Sequence, residues 1–265
     1  MNNTLLIIPH YNNAESLYIS IKSIHDSENI DVLVIDDGST NKKPILEELI
    51  KNKKFTGELF FIQNPTNQGI EIILNQGLDF AVEKGYKYIA RLDAGDICYP
   101  HRFKIQETFL NSNQDIYLLG TQVNFINSEG VTIYQKKFPT KDKDIRKKMH
   151  VNSMFIHPSV MFRSEVINTV GKYPTNYKSA EDFAYFFNII KKHKAANLDQ
   201  ILLDYEINFE GISMTTRNKQ IKSRILILKK NFDFSFWSIY GLLINYIILY
   251  TPTNIIQKLK TIIYK

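Results

Sequence analysis

Carboxylates in three places carry the chemical interest of this chain of 265 residues: Asp36-Asp37, Asp93 with Asp96, and Glu181-Asp182. Asp37 precedes Gly38, which lets the backbone turn close to a ligand. Its carboxylate is then free to accept hydrogen bonds from a pyrimidine or a ribose, and the competing reading of the pair is a plain Asx turn. Tyr11 can stack on or flank a flat base. Glu181-Asp182 opens a helical stretch, where the helix dipole favours acids on its own, so a carboxylate there needs a further reason to be read as chemistry. Asn67 and Gly69 read equally as a cap and a turn.

These residues need a frame that brings them together. Residues 5–9, 31–35, 59–63 and 86–92 are short apolar runs of the kind that form buried parallel strands. Between them, residues 14–25, 44–51 and 69–84 place apolar positions at three- and four-residue spacing, as amphipathic helices do. Pro44 suits a helix start, and Gly85 suits the position just past a helix end. Repeated strand–helix units predict an α/β doubly wound sheet. After Pro100 the alternation stops. A helix is expected over 102–110, a hairpin over 117–125 and 131–138, a short helix over 142–149, a strand over 159–162 and a helix over 181–192. This second half is expected as α+β structure built onto the same sheet. In such sheets ligands bind beyond the carboxyl ends of the strands. The polar clusters Tyr11-Asn12, Asp36-Asp37-Gly38-Ser39, 64–67 and 93–96 all fall there.

Composition narrows the classes. Hydrophobic residues make up 44% and charged residues 23%, enough for a real core, and the net charge is +6. The excess is uneven: residues 217–265 hold nine Lys/Arg against one acid, Asp233, whereas residues 1–216 hold 24 against 26. A near-neutral body with a basic tail does not call for nucleic acid. The single cysteine, Cys98, excludes an internal disulfide and a cysteine zinc cluster, and it suits a small apolar filler. Residues 1–4 lack the basic and apolar features of a signal peptide, so the body is expected in the cytoplasm.

Taken in order, Pro9-His10-Tyr11-Asn12, Ile35-Asp36-Asp37-Gly38-Ser39-Thr40, Asn67-Gln68-Gly69, Asn75-Gln76-Gly77, Arg91-Leu92-Asp93-Ala94-Gly95-Asp96, His157-Pro158-Ser159-Val160, Gly171-Lys172-Tyr173-Pro174 and Glu181-Asp182 resemble the family 2 glycosyltransferases of the GT-A fold. The likeness is to inverting bacterial enzymes of O-antigen, capsule and surface-glycan synthesis, and it runs over residues 4–220. It implies a nucleotide-sugar-binding half over 1–100, an acceptor half over 101–220, and a tail over 221–265. The donor, UDP- or dTDP-linked, is expected on Pro9, Tyr11, Asn12, Asp37, Asn67, Gly69, Arg91, Asp93, Ala94 and Asp96. The resemblance makes Asp182 the general base and Glu181 an acceptor-side or positioning residue, with His157 and Pro158 shaping the acceptor pocket. The family commonly has Asp-Ala-Asp-Asp where this chain has Gly95 at the third place, and a His where this chain has Asn208. A divalent cation, Mg²⁺ or Mn²⁺, then rests on Asp93 or Asp96 with water completing its shell. The alternative is that cationic side chains offset the diphosphate charge, with Arg91, Arg102, Arg217 and Lys219 as candidates.

Residues 234–257 run without a charge and are rich in Trp and Tyr, with Lys229-Lys230 before them and Lys258 and Lys260 after. Three arrangements are open: a segment lying in the interface of an anionic membrane, a single span, and a helical hairpin packed on protein. The first places the enzyme on the cytoplasmic face of the bacterial inner membrane with a lipid-linked glycan acceptor. Two other classes of function stay open, a catalytically impaired nucleotide-sugar-binding partner and a membrane-tethering scaffold.

Overall fold

The computed structural model describes residues 2–207, 217–252 and 255. The first strand–helix units are β1 (Thr4–His10), α1 (Ala14–Ser23), β2 (Asp31–Asp36), α2 (Leu46–Asn52), β3 (Leu59–Gln63), α3 (Ile70–Glu83) and β4 (Tyr88–Arg91). β1 pairs in parallel with both β2 and β4, and β2 with β3. Every residue of β1, β2 and β4 is buried, as parallel strands covered on both faces must be. Because successive side chains point to opposite faces, Leu5, Ile7, Leu33 and Ile35 join one apolar layer with α3, while Leu6, Ile8, Val32 and Val34 join the other with α1.

The rest of the chain extends this sheet. β5 (Ile97–Cys98) and α4 (Arg102–Ser112) lead to β6 (Ile116–Ile126), β7 (Thr132–Lys136) and α5 (Asp142–Met149). A 3-10 turn (His157–Ser159), β8 (Met161–Arg163), α6 (Val166–Val170), α7 (Glu181–Lys192) and β9 (Lys194–Glu206) follow. The strand order is β3-β2-β1-β4-β8-β6-β9-β5, with β7 on β6. β8 runs antiparallel to β4 and β6, and β9 parallel to β6.

Three local differences from the sequence reading have physical causes. The strand expected over 159–162 is displaced to Met161–Arg163, because Pro158 lacks an N–H and the chain there turns, with Ser159 N donating to Ile156 O at 2.9 Å. α2 begins at Leu46, two residues after Pro44, with Ile45 still extended. The thirteen-residue β9 gives little sequence signal because Asp199 and Gln200 interrupt its apolar pattern, and its register with β6 shifts around Gly120–Gln122.

The C-terminal segment is a helical pair, α8 (Arg217–Lys230) and α9 (Phe236–Tyr250), broken at residues 231–235. Among the described residues no helix is long and apolar enough to cross a membrane. Lys258 and Lys260 lie outside the described residues. The pair packs on the body. Ile227 and Leu228 of α8 enter the apolar layer that contains α7, and Ser238, Gly241 and Asn245 line the buried side of α9. Ser238 Oγ lies 2.8 Å from His150 Nδ1, and Asn245 Nδ2 donates to Val151 O at 2.9 Å. A Cβ at Gly241 would overlap the His150 carbonyl, so only glycine permits this approach. α9 is thus inverted relative to an ordinary surface helix: its small and polar seam faces protein, while Phe236 is 70%, Leu243 60%, Ile247 61% and Tyr250 81% exposed.

Candidate active site

The carboxyl ends of β1 and β2 are tied together before any ligand is considered. Asp36 is buried and lies 2.7 Å from His10 Nδ1. His10 Nε2 accepts from Asn13 N at 3.0 Å, which leaves Nδ1 to donate to Asp36. Burial pushes the Asp36 carboxyl up, but the Ser39 hydroxyl and His10 outweigh it and hold it below the usual carboxylate range. Asp36 is therefore a brace. Asp37, beside it, accepts from Gln68 N at 2.7 Å and Gly69 N at 3.0 Å, clamping the loop after β3 to the end of β2. Gly38 sits at φ +67, and a Cβ there would overlap the backbone of Thr66, so the clamp needs glycine. Asn12, in the left-handed region, accepts from Thr40 N and Asn41 N, each at 2.9 Å. Tyr11 is half exposed at the rim, Asn67 is exposed, and Pro9 is buried within β1.

Arg91, at the end of β4, is 1% exposed. Its guanidinium donates to Ile7 O, to Asp93 Oδ1 at 2.6 Å and to His157 Nε2 at 3.3 Å. Tyr173 Oη lies 3.0 Å from the same imidazole nitrogen. Burial, together with the Arg91 charge, holds His157 well below its ordinary value, so it is a neutral acceptor joining Arg91 to Tyr173. Pro158 is buried and gives its carbonyl to Arg102 at 2.6 Å. The sequence candidates for a diphosphate cation are mostly engaged elsewhere. Arg102 is fully buried and also donates to Arg91 O at 2.9 Å. Arg217 donates to Ile248 O at 2.6 Å and Thr251 O at 3.1 Å, closing the C-terminus of α9. Lys219 is exposed on α8.

The Asp93–Asp96 loop explains the glycine that departs from the family pattern. Gly95 adopts φ +108, and a Cβ there would overlap Oε2 of Glu206, at the end of β9. A carboxylate thus stands over position 95, delivered from a distant strand. Asp96 is 3% exposed; its Oδ1 accepts from Glu206 N at 2.9 Å, and its Oδ2 is buried without a partner. Burial, then the neighbouring Asp93, push its carboxyl well up. Ala94, half-buried, spaces Asp93 from this pair. Among the described residues no group of three or more His, Cys, Asp or Glu forms a metal cage, and Asn208 lies outside them. What is present, the orphaned Asp96 oxygen with the charges of half-exposed Asp93 and of Glu206 both acting on it, fits a cation whose shell is completed by substrate oxygens and water.

α7 brings the last carboxylates in. Its buried aromatic face, Phe183, Tyr185, Phe186 and Phe187, seats the helix so that Glu181 and Asp182 start it at the sheet edge. Asp182 Oδ1 accepts from Phe183 N at 2.7 Å. Burial raises the Asp182 carboxyl, the Phe183 N–H and then Arg224 of α8 oppose that rise, and Asp93 adds to it. Glu181 is pushed up to about 8, first by burial and then by Asp182, with Glu71 and Asp93 contributing, and its Oε2 is buried without a partner. At neutral pH Glu181 therefore keeps its proton, beside an Asp182 carboxyl group whose proton affinity is raised. Such a carboxylate is a stronger proton acceptor than an exposed one.

Between the ordinary 4.5 and about 8, the folded chain keeps a Glu181 proton that the unfolded chain has released. Stability should therefore fall as pH rises through that interval. Urea unfolding at pH 5, 7 and 9 should show Glu181→Gln gaining on the wild type as pH rises. Parallel profiles would contradict the assignment.

Asp93, Arg91, His157, Glu181 and Asp182 are thus joined into one cluster, and Asp37 clamps its other side through Gly69. Sequence reasoning missed Glu71, Glu206 and Arg224. Glu71, 4% exposed and 3.4 Å from Lys178 Nζ, follows Gly69 closely enough to have been suspected. Glu206 and Arg224 carried no local signal.

Residues 5–171 match the family described as Glycosyl transferase family 2. An uncharacterized glycosyltransferase of Methanocaldococcus jannaschii is 30% identical over 268 residues, covering 95% of this chain and 90% of its own length. The O-antigen biosynthesis glycosyltransferase WbnJ of Escherichia coli is 32% identical over 139 residues, 51% of this chain and 54% of WbnJ. In fold, S. aureus TarS 1–349, solved with UDP-GlcNAc, superposes with a TM-score of 0.65 at 20% identity, over 86% of this chain and 66% of TarS 1–349.

Proposed function

Since the chain belongs to glycosyl transferase family 2 and is a glycosyltransferase, we propose that it moves a sugar, with inversion, from a UDP- or dTDP-linked donor to a hydroxyl of a lipid-linked surface glycan. The observation that carries this reading is the linked line Asp93–Arg91–His157–Tyr173, with steps of 2.6, 3.3 and 3.0 Å, which ends with the Tyr173 ring 4.2 Å from that of Tyr185 on α7 and so ties the β4 loop to the helix that Glu181 and Asp182 open. The donor lies across the strand ends, its nucleoside against Tyr11, Asn12 and the Asp37 clamp, its diphosphate toward Asp93. Asp93, with the unpartnered Asp96 oxygen, would hold a divalent cation. When bound, that cation offsets the charge gathering on the departing diphosphate. Arg91 fixes Asp93, and His157 fixes Arg91. Asp182 takes the proton from the acceptor hydroxyl as its oxygen bonds to the anomeric carbon. The bond to the nucleotide breaks on the opposite side, and the nucleoside diphosphate leaves with that electron pair.

A thermal-shift panel of UDP-, dTDP- and GDP-sugars, each with and without Mn²⁺, tests the donor side, because a bound ligand raises the midpoint by mass action. A UDP- or dTDP-sugar should raise it only with Mn²⁺, and Mn²⁺ alone should not. A shift of equal size in excess EDTA would remove the cation from this reading.

The same proposal places the enzyme on the cytoplasmic leaflet of a bacterial membrane. Support comes from the outward apolar face of α9 and from a basic stretch outside the tail. Residues 136–148 hold seven Lys/Arg against Asp142 and Asp144, and α9 packs just beyond their end, on His150 and Val151. Lys137, Lys141, Lys143 and Lys148 line a concavity of about 510 Å³ there. The protein should co-sediment with phosphatidylglycerol vesicles, less with phosphatidylcholine vesicles, and lose binding in Leu243→Glu/Ile247→Glu. Equal recovery in the supernatant with and without anionic vesicles would refute the placement.

A further inference from the structure

Tyr173, at the far end of the line from Asp93, is seated by side chains of α3. Asn75 Nδ2 donates to Tyr173 O at 2.9 Å, and Asn75 Oδ1 accepts from Tyr173 N at 2.8 Å, a two-point clasp on the Tyr173 backbone. One turn further along α3, Asp79 pairs with Lys172. α3 is itself anchored where the donor is expected. Asp37 holds Gly69, its N-cap. Gly77 packs so closely on β1 that a Cβ there would overlap the Ile7 side chain, and Ile7 O accepts from Arg91. The Tyr173 hydroxyl then meets His157. Arg91 Nε donates to His157 Nε2 at 3.3 Å, and Tyr173 Oη lies 3.0 Å from the same nitrogen. An accepting imidazole nitrogen has one lone pair, so Tyr173 and Arg91 share it and the hydroxyl holds the closer place. The guanidinium is left turned onto Asp93 Oδ1 at 2.6 Å. Asp93 is the open end of the line, its side chain 40% exposed against 1% for Arg91. A closed ring of contacts thus runs through Asp37, α3, Tyr173, His157, Arg91 and Asp93.

We propose that Tyr173, seated by Asn75, is a positioning residue for the donor: by occupying His157 Nε2, its hydroxyl keeps the Arg91 guanidinium on Asp93 and so holds that carboxylate in place for the donor's diphosphate and its cation. This rests on the reading in which Asp93 receives the diphosphate. Without the hydroxyl, the whole His157 lone pair is open to Arg91 Nε, and the guanidinium is drawn away from Asp93 toward the imidazole. The Tyr173 ring has no part in this step. A phenylalanine keeps its 4.2 Å contact with the Tyr185 ring and the backbone clasp of Asn75. A single hydroxyl acts on a carboxylate it does not touch because the groups between them share a hydrogen-bond network shielded from water, where each bond fixes the next.

The test has a ligand-free arm and a binding arm. In the first, the Arg91 Nε–H signal is followed in a proton–nitrogen NMR spectrum. It should move downfield in Tyr173→Phe, as its bond to His157 shortens. Asn75→Ser, which loosens the clasp and keeps the hydroxyl, should move it the same way by less, and it replaces Tyr173→Phe if that variant does not fold. An unmoved signal overturns the proposal. In the second arm, Mn²⁺ is titrated in thermal-shift measurements with the donor selected by the panel. The Mn²⁺ concentration giving half the shift should rise about five-fold in Tyr173→Phe, the worth of one hydrogen bond. Asp93→Asn should raise it further, and adding Tyr173→Phe to Asp93→Asn should then change nothing more. A lower unfolding midpoint with unaltered Mn²⁺ dependence, or additive effects in the double variant, would mark Tyr173 as merely structural and overturn the proposal. Unaltered Mn²⁺ dependence in Asp93→Asn would instead refute the donor reading, an outcome the ligand-free arm keeps separate from the coupling of Tyr173 to Arg91.

Discussion

Replacing Asp182 with asparagine is expected to lower turnover by about 10²–10⁴-fold while leaving nucleotide-sugar binding and the fold intact. Asparagine is close to isosteric, and its side-chain oxygen can still accept from Phe183 N, as the Asp182 carboxylate does at 2.7 Å. What it cannot do is take a proton. Binding is expected to survive because the donor contacts are assigned to the strand ends, across the site from α7. The check is a paired measurement, the thermal shift with donor and Mn²⁺ alongside single-turnover transfer. A normal shift with collapsed turnover supports the base. Unchanged turnover removes it, and absence of turnover from the wild type as well would favour a nucleotide-sugar-binding partner over an enzyme acting by this mechanism.

Gly95→Asp should damage the protein, although it brings the loop to the pattern common in the family. The backbone there has φ +108, which side chains other than glycine rarely adopt, and the new Cβ would overlap Glu206 Oε2. The added carboxylate would also stand against Glu206 and near Asp96, whose carboxyl is already pushed up by burial and then by Asp93. Backbone strain and like-charge crowding together should cost about 2–4 kcal/mol, which lowers the unfolding midpoint by roughly 5–15 °C for a chain of this size. Glu206→Ser added to Gly95→Asp should recover only part of this, because the strain remains. Differential scanning calorimetry of the two variants decides the matter. A Gly95→Asp protein as stable as wild type, binding donor more tightly with Mn²⁺, would show that Glu206 moves aside freely and that the site tolerates the carboxylate from either strand.

Both expectations depend on contacts of very different range, and that range governs what could be read from the chain. Asp37 was visible because its task is local: it precedes Gly38 and clamps a loop about thirty residues away. The parallel strands were visible because full burial demands short apolar runs. Glu181-Asp182 was visible as a pair, but not the upward displacement of both carboxyls, which burial among Phe183, Tyr185 and Phe186 imposes. Among the cations, Arg102 and Arg217 looked available and proved to be engaged with carbonyls. Arg224 looked like one more basic residue in a tail. The tail itself was read mainly through its apolar run, and the small, polar positions Ser238, Gly241 and Asn245 are what seat it on the body.

The sequence by itself determined the strand–helix alternation, the glycines that permit the tight turns, and the polar clusters that follow the strands, because period, propensity and backbone freedom are properties of neighbouring residues. Tertiary structure alone decided that Glu206 fills the space left by Gly95 and that His157 is a neutral link between Arg91 and Tyr173. Those outcomes arise where segments 16 to 110 residues apart are packed out of water, and the charge states and partners of buried groups are set by that packing and not by the residues beside them in the chain.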